Sequence, residues 1–121
     1  MAARRHTLLL TMGDPAGIGP EILVRTLALR SLRREAHLVA VGDPEVIDRA
    51  ARRARVSLRF RPIGADGFDP KMTDVPGIPL IMSTTGVWGS FDPGFPSVET
   101  GVSAARAIEV AAKLALEGRA S

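Results

Sequence analysis

The chain reads as an α/β protein: a parallel or mixed sheet with flanking helices, forming a single partial domain over residues 1–121. Three observations predict this class. Apolar runs too short for helices recur at His6–Met12, Ala36–Val41 and Ile78–Met82. Longer stretches of helical period follow the first two runs, and another closes the chain. The joints between them are rich in Gly and Pro, above all Thr11–Glu21. Strands alternating with helices favour a sheet built with right-handed crossovers.

Each element has its own warrant. His6–Met12 is strand one by its buried apolar run. Pro20 to about Arg34 is helix one, with Ile22, Leu23, Thr26, Leu27 and Leu29 to Leu32 giving an apolar side and Arg25, Arg30, Arg33 and Arg34 largely away from it. Ala36–Val41 is strand two, ended by Gly42. Asp43 then reads as N-cap and Pro44 as first residue of helix two, which runs to about Ala54 with Glu45 in its first turn. Val56–Arg61 alternates apolar and polar as VSLRFR, the pattern of a half-buried strand at a sheet edge. Pro62–Gly77 is a loop, and Ile78–Met82 is a further strand. Ser83–Ser97 is irregular, and Trp88, Phe91 and Phe95 are expected to pin it to the body. Ser97–Glu117 is the longest helix, capped by Ser97 and ended by Gly118. Val98, Val102, Ala105, Ile108, Ala112, Ala115 and Leu116 follow helical spacing, and this side is expected to lie on a sheet. An α/β unit continues with a strand after such a helix, so the sheet reads as unfinished.

Composition narrows the function. With 45% hydrophobic residues the chain can bury a core, which argues against disorder. There is no cysteine, hence no disulfide, thiolate nucleophile or Cys-ligated metal. A cytoplasmic location fits that absence. The apolar run Thr7–Leu10 is too short for a signal-peptide core or a membrane span. The net charge of +3 comes with 16 basic residues, of which only Lys71 and Lys113 are lysine. That balance does not make a nucleic-acid binder, because no aromatic residues interleave the arginines. Arg49, Arg52, Arg53 and Arg55 on or beside helix two read as a solvated face mixed with Glu45 and Asp48.

A catalytic set is missing. His6 and His37 lie in strands and read as strand side chains rather than ligands, with no metal-binding spacing between them. No G-x-S-x-G elbow occurs. Asp66, Asp69 and Asp74 lack the spacing and closing Glu of a calcium loop. Neither lysine has a desolvated context; one lies in a loop and the other on a polar position of a helix.

The turn Thr11-Met12-Gly13-Asp14-Pro15-Ala16-Gly17-Ile18-Gly19-Pro20-Glu21 stands apart. Glycine permits positive φ and close approach, and proline fixes φ. Gly19 and Pro20 suit the N-cap and first helical position, and Glu21 suits the positive end of the helix dipole. A strand, a Gly-rich turn and a helix start form a site for an anion or a cofactor phosphate. The same residues also serve as a plain strand-to-helix corner. The glycine spacing is neither the dinucleotide fingerprint nor a Walker loop.

The segment TMGDPAGIGPEI resembles the N-terminal signature of the 4-hydroxythreonine-4-phosphate dehydrogenase family of pyridoxal phosphate synthesis. Val41-Gly42-Asp43-Pro44 and Pro96-Ser97-Val98-Glu99-Thr100-Gly101 extend the resemblance along essentially the whole chain. The turn also resembles the GDGIGPE turn of isocitrate and isopropylmalate dehydrogenases. The resemblance implies the incomplete N-terminal part of an isocitrate/isopropylmalate dehydrogenase-like fold. It implies oxidation then decarboxylation of 4-phosphohydroxy-L-threonine, with NAD and a divalent metal as cofactors and a homodimer in the full-length form. It places Gly13, Asp14, Gly17, Gly19 and Glu21 on the cofactor side, and the metal and substrate residues in parts of the family beyond Ser121. Two further readings stay open. The chain is a paralogous unit acting on a phosphorylated sugar acid, or a non-catalytic remnant or phosphate- or nucleotide-binding module.

Overall fold

The computed structural model describes residues 5–74, 76–83 and 91–121. Four strands, β1 His6–Thr11, β2 Ala36–Gly42, β3 Phe60–Gly64 and β4 Ile78–Met82, form one sheet in the order β1-β2-β4-β3. Every pairing is parallel. Parallel neighbours need crossovers; α-helices lie between β1 and β2 and between β2 and β3, whereas between β3 and β4 the described residues form only two short 3-10 segments, Ala65–Gly67 and Pro70–Asp74. α1 Gly19–Leu27 and α2 Arg30–Glu35 follow β1, α3 Pro44–Ala54 follows β2, and α4 Val98–Leu116 follows β4.

The central strand β2 explains why its sequence is apolar without alternation. Leu38 and Ala40 face one core with Leu23, Val24 and Leu27 of α1 and Ile47 of α3. Val39 and Val41 face a second core with Ile81, Phe68, Ala107 and Leu114. A strand covered on both faces reads as a continuous apolar run. Two helical layers therefore sandwich the sheet. The N-terminus of α3 is as expected: Asp43 caps it by accepting from the Glu45 amide at 2.9 Å. Ser97 and Thr100 form a reciprocal capping box on α4. At its end Gly118 takes φ +75. The Gly118 amide bonds the Ala115 carbonyl and the Arg119 amide bonds the Leu114 carbonyl, a Schellman end.

Four expectations are corrected. Helix one is not continuous to Arg34. It breaks after Leu27, and Leu29 is extended with ψ 107 before α2 begins. Periodicity carries no information on where the chain must turn to set Ala36 beside His6, as the β1–β2 register requires. The strand expected over Val56–Arg61 starts only at Phe60 and runs through Pro62 to Gly64. It lies at the sheet edge, where a proline's missing donor breaks no ladder bond. The apolar side expected for α4 is its outer face. Val98, Val102, Ile108 and Leu116 are exposed, and Thr100, Ser103, Ala107 and Leu114 are buried instead. Small residues on that side let the helix backbone approach the sheet. Phe95 is 73% exposed and pins nothing, whereas Phe91 packs partly against the first core. Trp88 lies outside the described residues.

After α4 the chain returns to the outer edge of β1. There the Ser121 amide donates to the Thr7 carbonyl at 2.9 Å.

Candidate functional site

The first turn leaves β1 at Met12, which is fully buried. Its amide donates to the Val41 carbonyl at 3.1 Å and lengthens the ladder by one residue. Gly13 takes φ +73, a conformation L side chains rarely adopt. Asp14 then closes a small loop. Its carboxylate accepts from the Ala16 amide at 2.8 Å, and its carbonyl accepts from the Gly17 amide at 3.0 Å. This is an Asx turn. The Ala16 carbonyl in turn accepts from the Gly94 amide at 2.7 Å, which ties the segment before α4 to the turn.

Gly19 meets the strongest steric demand. A Cβ there would sit 2.3 Å from the Met12 carbonyl oxygen. Gly17 has ordinary room, with its nearest neighbour, the Asp14 carbonyl oxygen, at 3.5 Å. The helix starts one residue earlier than its sequence suggested. Ile18 is the N-cap and carries no side-chain cap bond, while Gly19 is the first helical residue. Glu21 falls in the first turn of α1 and pairs with Arg25 at 2.9 Å, with both side chains more than half exposed.

The five residues expected to act together are divided between two hollows. Gly17 and Glu21 border a cleft of about 310 Å³ whose opposite wall is Val46, Arg49 and Arg53 of α3. Gly13 and Gly19 border a groove of about 390 Å³ beside Thr11, Ile22 and Thr26. Asp14 borders neither and serves the turn itself. All five lie at the carboxyl end of the parallel sheet, where open α/β folds bind ligands.

A second turn packs against the first through Met12. A Cβ on Gly42 would lie 2.7 Å from the Met12 sulfur, and the Asp43 amide reaches that sulfur at 3.3 Å. The sequence carries the signal for this pairing, because Gly-Asp-Pro occurs at both Gly13-Asp14-Pro15 and Gly42-Asp43-Pro44. In both, the Asp carboxylate accepts from the amide two residues on.

Among the described residues no three His, Cys, Asp or Glu side chains gather to hold an ion. His6 is exposed at the start of β1 and His37 is half-buried within β2. Asp69, one of the three loop acids, accepts from the Lys71 amide at 2.8 Å and shapes its own turn. No helix among the described residues is long and apolar enough to cross a membrane.

A parallel sheet covered by helices on both faces, with a glycine-built turn leading from its first strand into a helix, places the chain in the class of open α/β proteins. Its relatives narrow that class. No family model matches the chain. A 4-hydroxythreonine-4-phosphate dehydrogenase from Geobacter metallireducens is 34% identical over 120 residues, covering 99% of this chain and 35% of that protein. The crystal structure of a 4-hydroxythreonine-4-phosphate dehydrogenase from Burkholderia phymatum superposes with a TM-score of 0.81 at 25% identity, over 98% of this chain and 35% of that one. A terephthalate 1,2-cis-dihydrodioldehydrogenase from Burkholderia xenovorans superposes with a TM-score of 0.71 at 27% identity, over 97% of this chain and 32% of that one. The chain is similar to these 4-hydroxythreonine-4-phosphate dehydrogenases over nearly all of its own length and spans about a third of theirs.

Proposed function

We propose that this chain forms the N-terminal unit of an NAD- and divalent-metal-dependent dehydrogenase acting on 4-phosphohydroxy-L-threonine in pyridoxal phosphate synthesis. The observation that carries the reading is the 34% identity over 120 residues to a dehydrogenase of that name. In this reading the enzyme is cytoplasmic and homodimeric in its full-length form. When bound, NAD would supply the hydride acceptor and a divalent metal would supply Lewis-acid polarisation of the substrate oxygen.

This chain's own contribution is positional. Gly13, Asp14 and Gly19 fix the corner between β1 and α1, and Gly17 and Glu21 present one wall of the cleft. The described residues do not supply a donor set for the metal, so no step of the reaction is assigned to them. Purified chain, given phosphohydroxythreonine, NAD and a divalent metal, is expected to reduce no NAD. Robust reduction would overturn the placement of metal and substrate groups outside this unit. A second reading, a dehydrogenase of the same fold with another substrate, is favoured by the similarity to a dihydrodiol dehydrogenase. A substrate panel that includes threonate phosphate separates the two.

A further inference from the structure

The cleft of about 310 Å³ has three walls: the first turn, α3, and the segment of Phe91 and Pro93 that leads into α4. The Gly94–Ala16 hydrogen bond joins the third wall to the first. Arg49 and Arg53 lie one helical turn apart on α3, and both line the cleft. Among the described residues neither has an acidic partner within ion-pair distance. Arg52, on the same helix, differs: it bonds Asp48 and is not part of the lining. The arginines of α3, expected to share one solvated face, thus divide into a paired residue outside the cleft and two uncompensated ones lining it.

Arg49 is also oriented. Its guanidinium carbon lies 5.3 Å from the centre of the Phe91 ring, and Phe91 is packed against the core. Such a cation–π contact restrains the side chain without neutralising it. Glu21 borders the same cleft, but Arg25 engages its carboxylate, so the charge facing the cleft is positive. Guanidinium forks match the oxygens of a phosphate group. Pro15, Pro20 and Val46 give the hollow apolar walls, and its volume is that of a small-ligand site.

We propose that the cleft binds a phosphate group through Arg49 and Arg53. The ligand class is a phosphorylated small molecule, either the diphosphate of a dinucleotide or a phosphate monoester. The site does not depend on the dehydrogenase reading, because phosphate binding is measured by itself.

The test is titration of the 121-residue chain with inorganic phosphate at constant ionic strength, read by calorimetry. Saturable binding is expected. Arg49→Ala and Arg53→Ala each weaken it about tenfold, while Arg52→Ala leaves it unchanged. All three side chains are exposed, so thermal melts of the variants should match that of the parent chain. A non-saturable response, or an equal loss in Arg52→Ala, overturns the site and leaves only general attraction to a basic helix. Adding NAD to the phosphate-loaded chain distinguishes the sources. Displacement assigns the site to the dinucleotide diphosphate, and retention assigns it to a phosphorylated substrate; either result upholds the site.

Discussion

Gly19 and Gly17 are two residues apart and look alike in sequence, yet only one is required by packing. The Met12 carbonyl would stand 2.3 Å from a Cβ on Gly19, so the start of α1 must shift to admit a methyl group. Gly19→Ala is expected to cost about 1–3 kcal/mol, the usual range for overpacking, whereas Gly17→Ala should be close to neutral. Parallel thermal melts of the two variants check the contrast. Asp14→Ala removes the bond to the Ala16 amide and should cost about 1 kcal/mol, the typical net worth of such a bond. At this scale the sequence was partly legible. The cluster of glycines marked the turn, and Gly-Asp-Pro marked both corners. Which glycine was sterically obligatory was not legible, because that depends on the distance of the Met12 carbonyl, a tertiary quantity. The same holds for Arg49 and Arg53, whose separation from Arg52 depends on where α3 lies against Phe91.

Elements with local signals are legible in the sequence. Asp43-Pro44 fixed the start of α3, and Ser97 fixed the start of α4, since caps depend on neighbours a few residues away. Elements decided by neighbours across the sheet are not. β3 contains Pro62 and Gly64, which spell a loop in sequence and are tolerated because β3 is an edge strand. α4 has apolar residues on two sides, and hydropathy alone favoured the larger ones. The fold instead buries the side with Ser103, Ala107 and Leu114. Ser103 is fully buried, and its hydroxyl has no hydrogen-bond partner among the described residues. Ser103→Ala should therefore raise stability by about 1 kcal/mol, because an unsatisfied buried hydroxyl carries a desolvation penalty. A chemical-denaturation curve reads this directly, and a destabilised variant would show that the hydroxyl has a partner in solution.

For the whole molecule, a sheet with flanking helices followed from the alternation of short apolar runs and helical stretches, whereas the choice of an all-parallel over a mixed sheet did not, because it depends on pairing across the sheet. The consequence of exposing the larger apolar side of α4 also belongs to this scale. Val98, Val102, Ile108 and Leu116 lie on its outer surface, and β1 is an edge strand of the sheet. Exposed apolar side chains along one helix promote association. The isolated chain is expected to sediment as a concentration-dependent mixture of species, and Ile108→Glu should shift it toward the monomer. A sharp monomer over the full concentration range would show that this surface is not adhesive.

The relation to the dehydrogenases rests on the chain matching about a third of their length in both sequence and fold. The most direct test replaces the matching third of the Geobacter metallireducens enzyme with this chain and measures NAD reduction with phosphohydroxythreonine. The chimera is expected to be active only when both the divalent metal and the phosphorylated substrate are present. A folded, metal-loaded chimera that turns over no substrate would contradict the assignment of this chain as the N-terminal unit of such an enzyme.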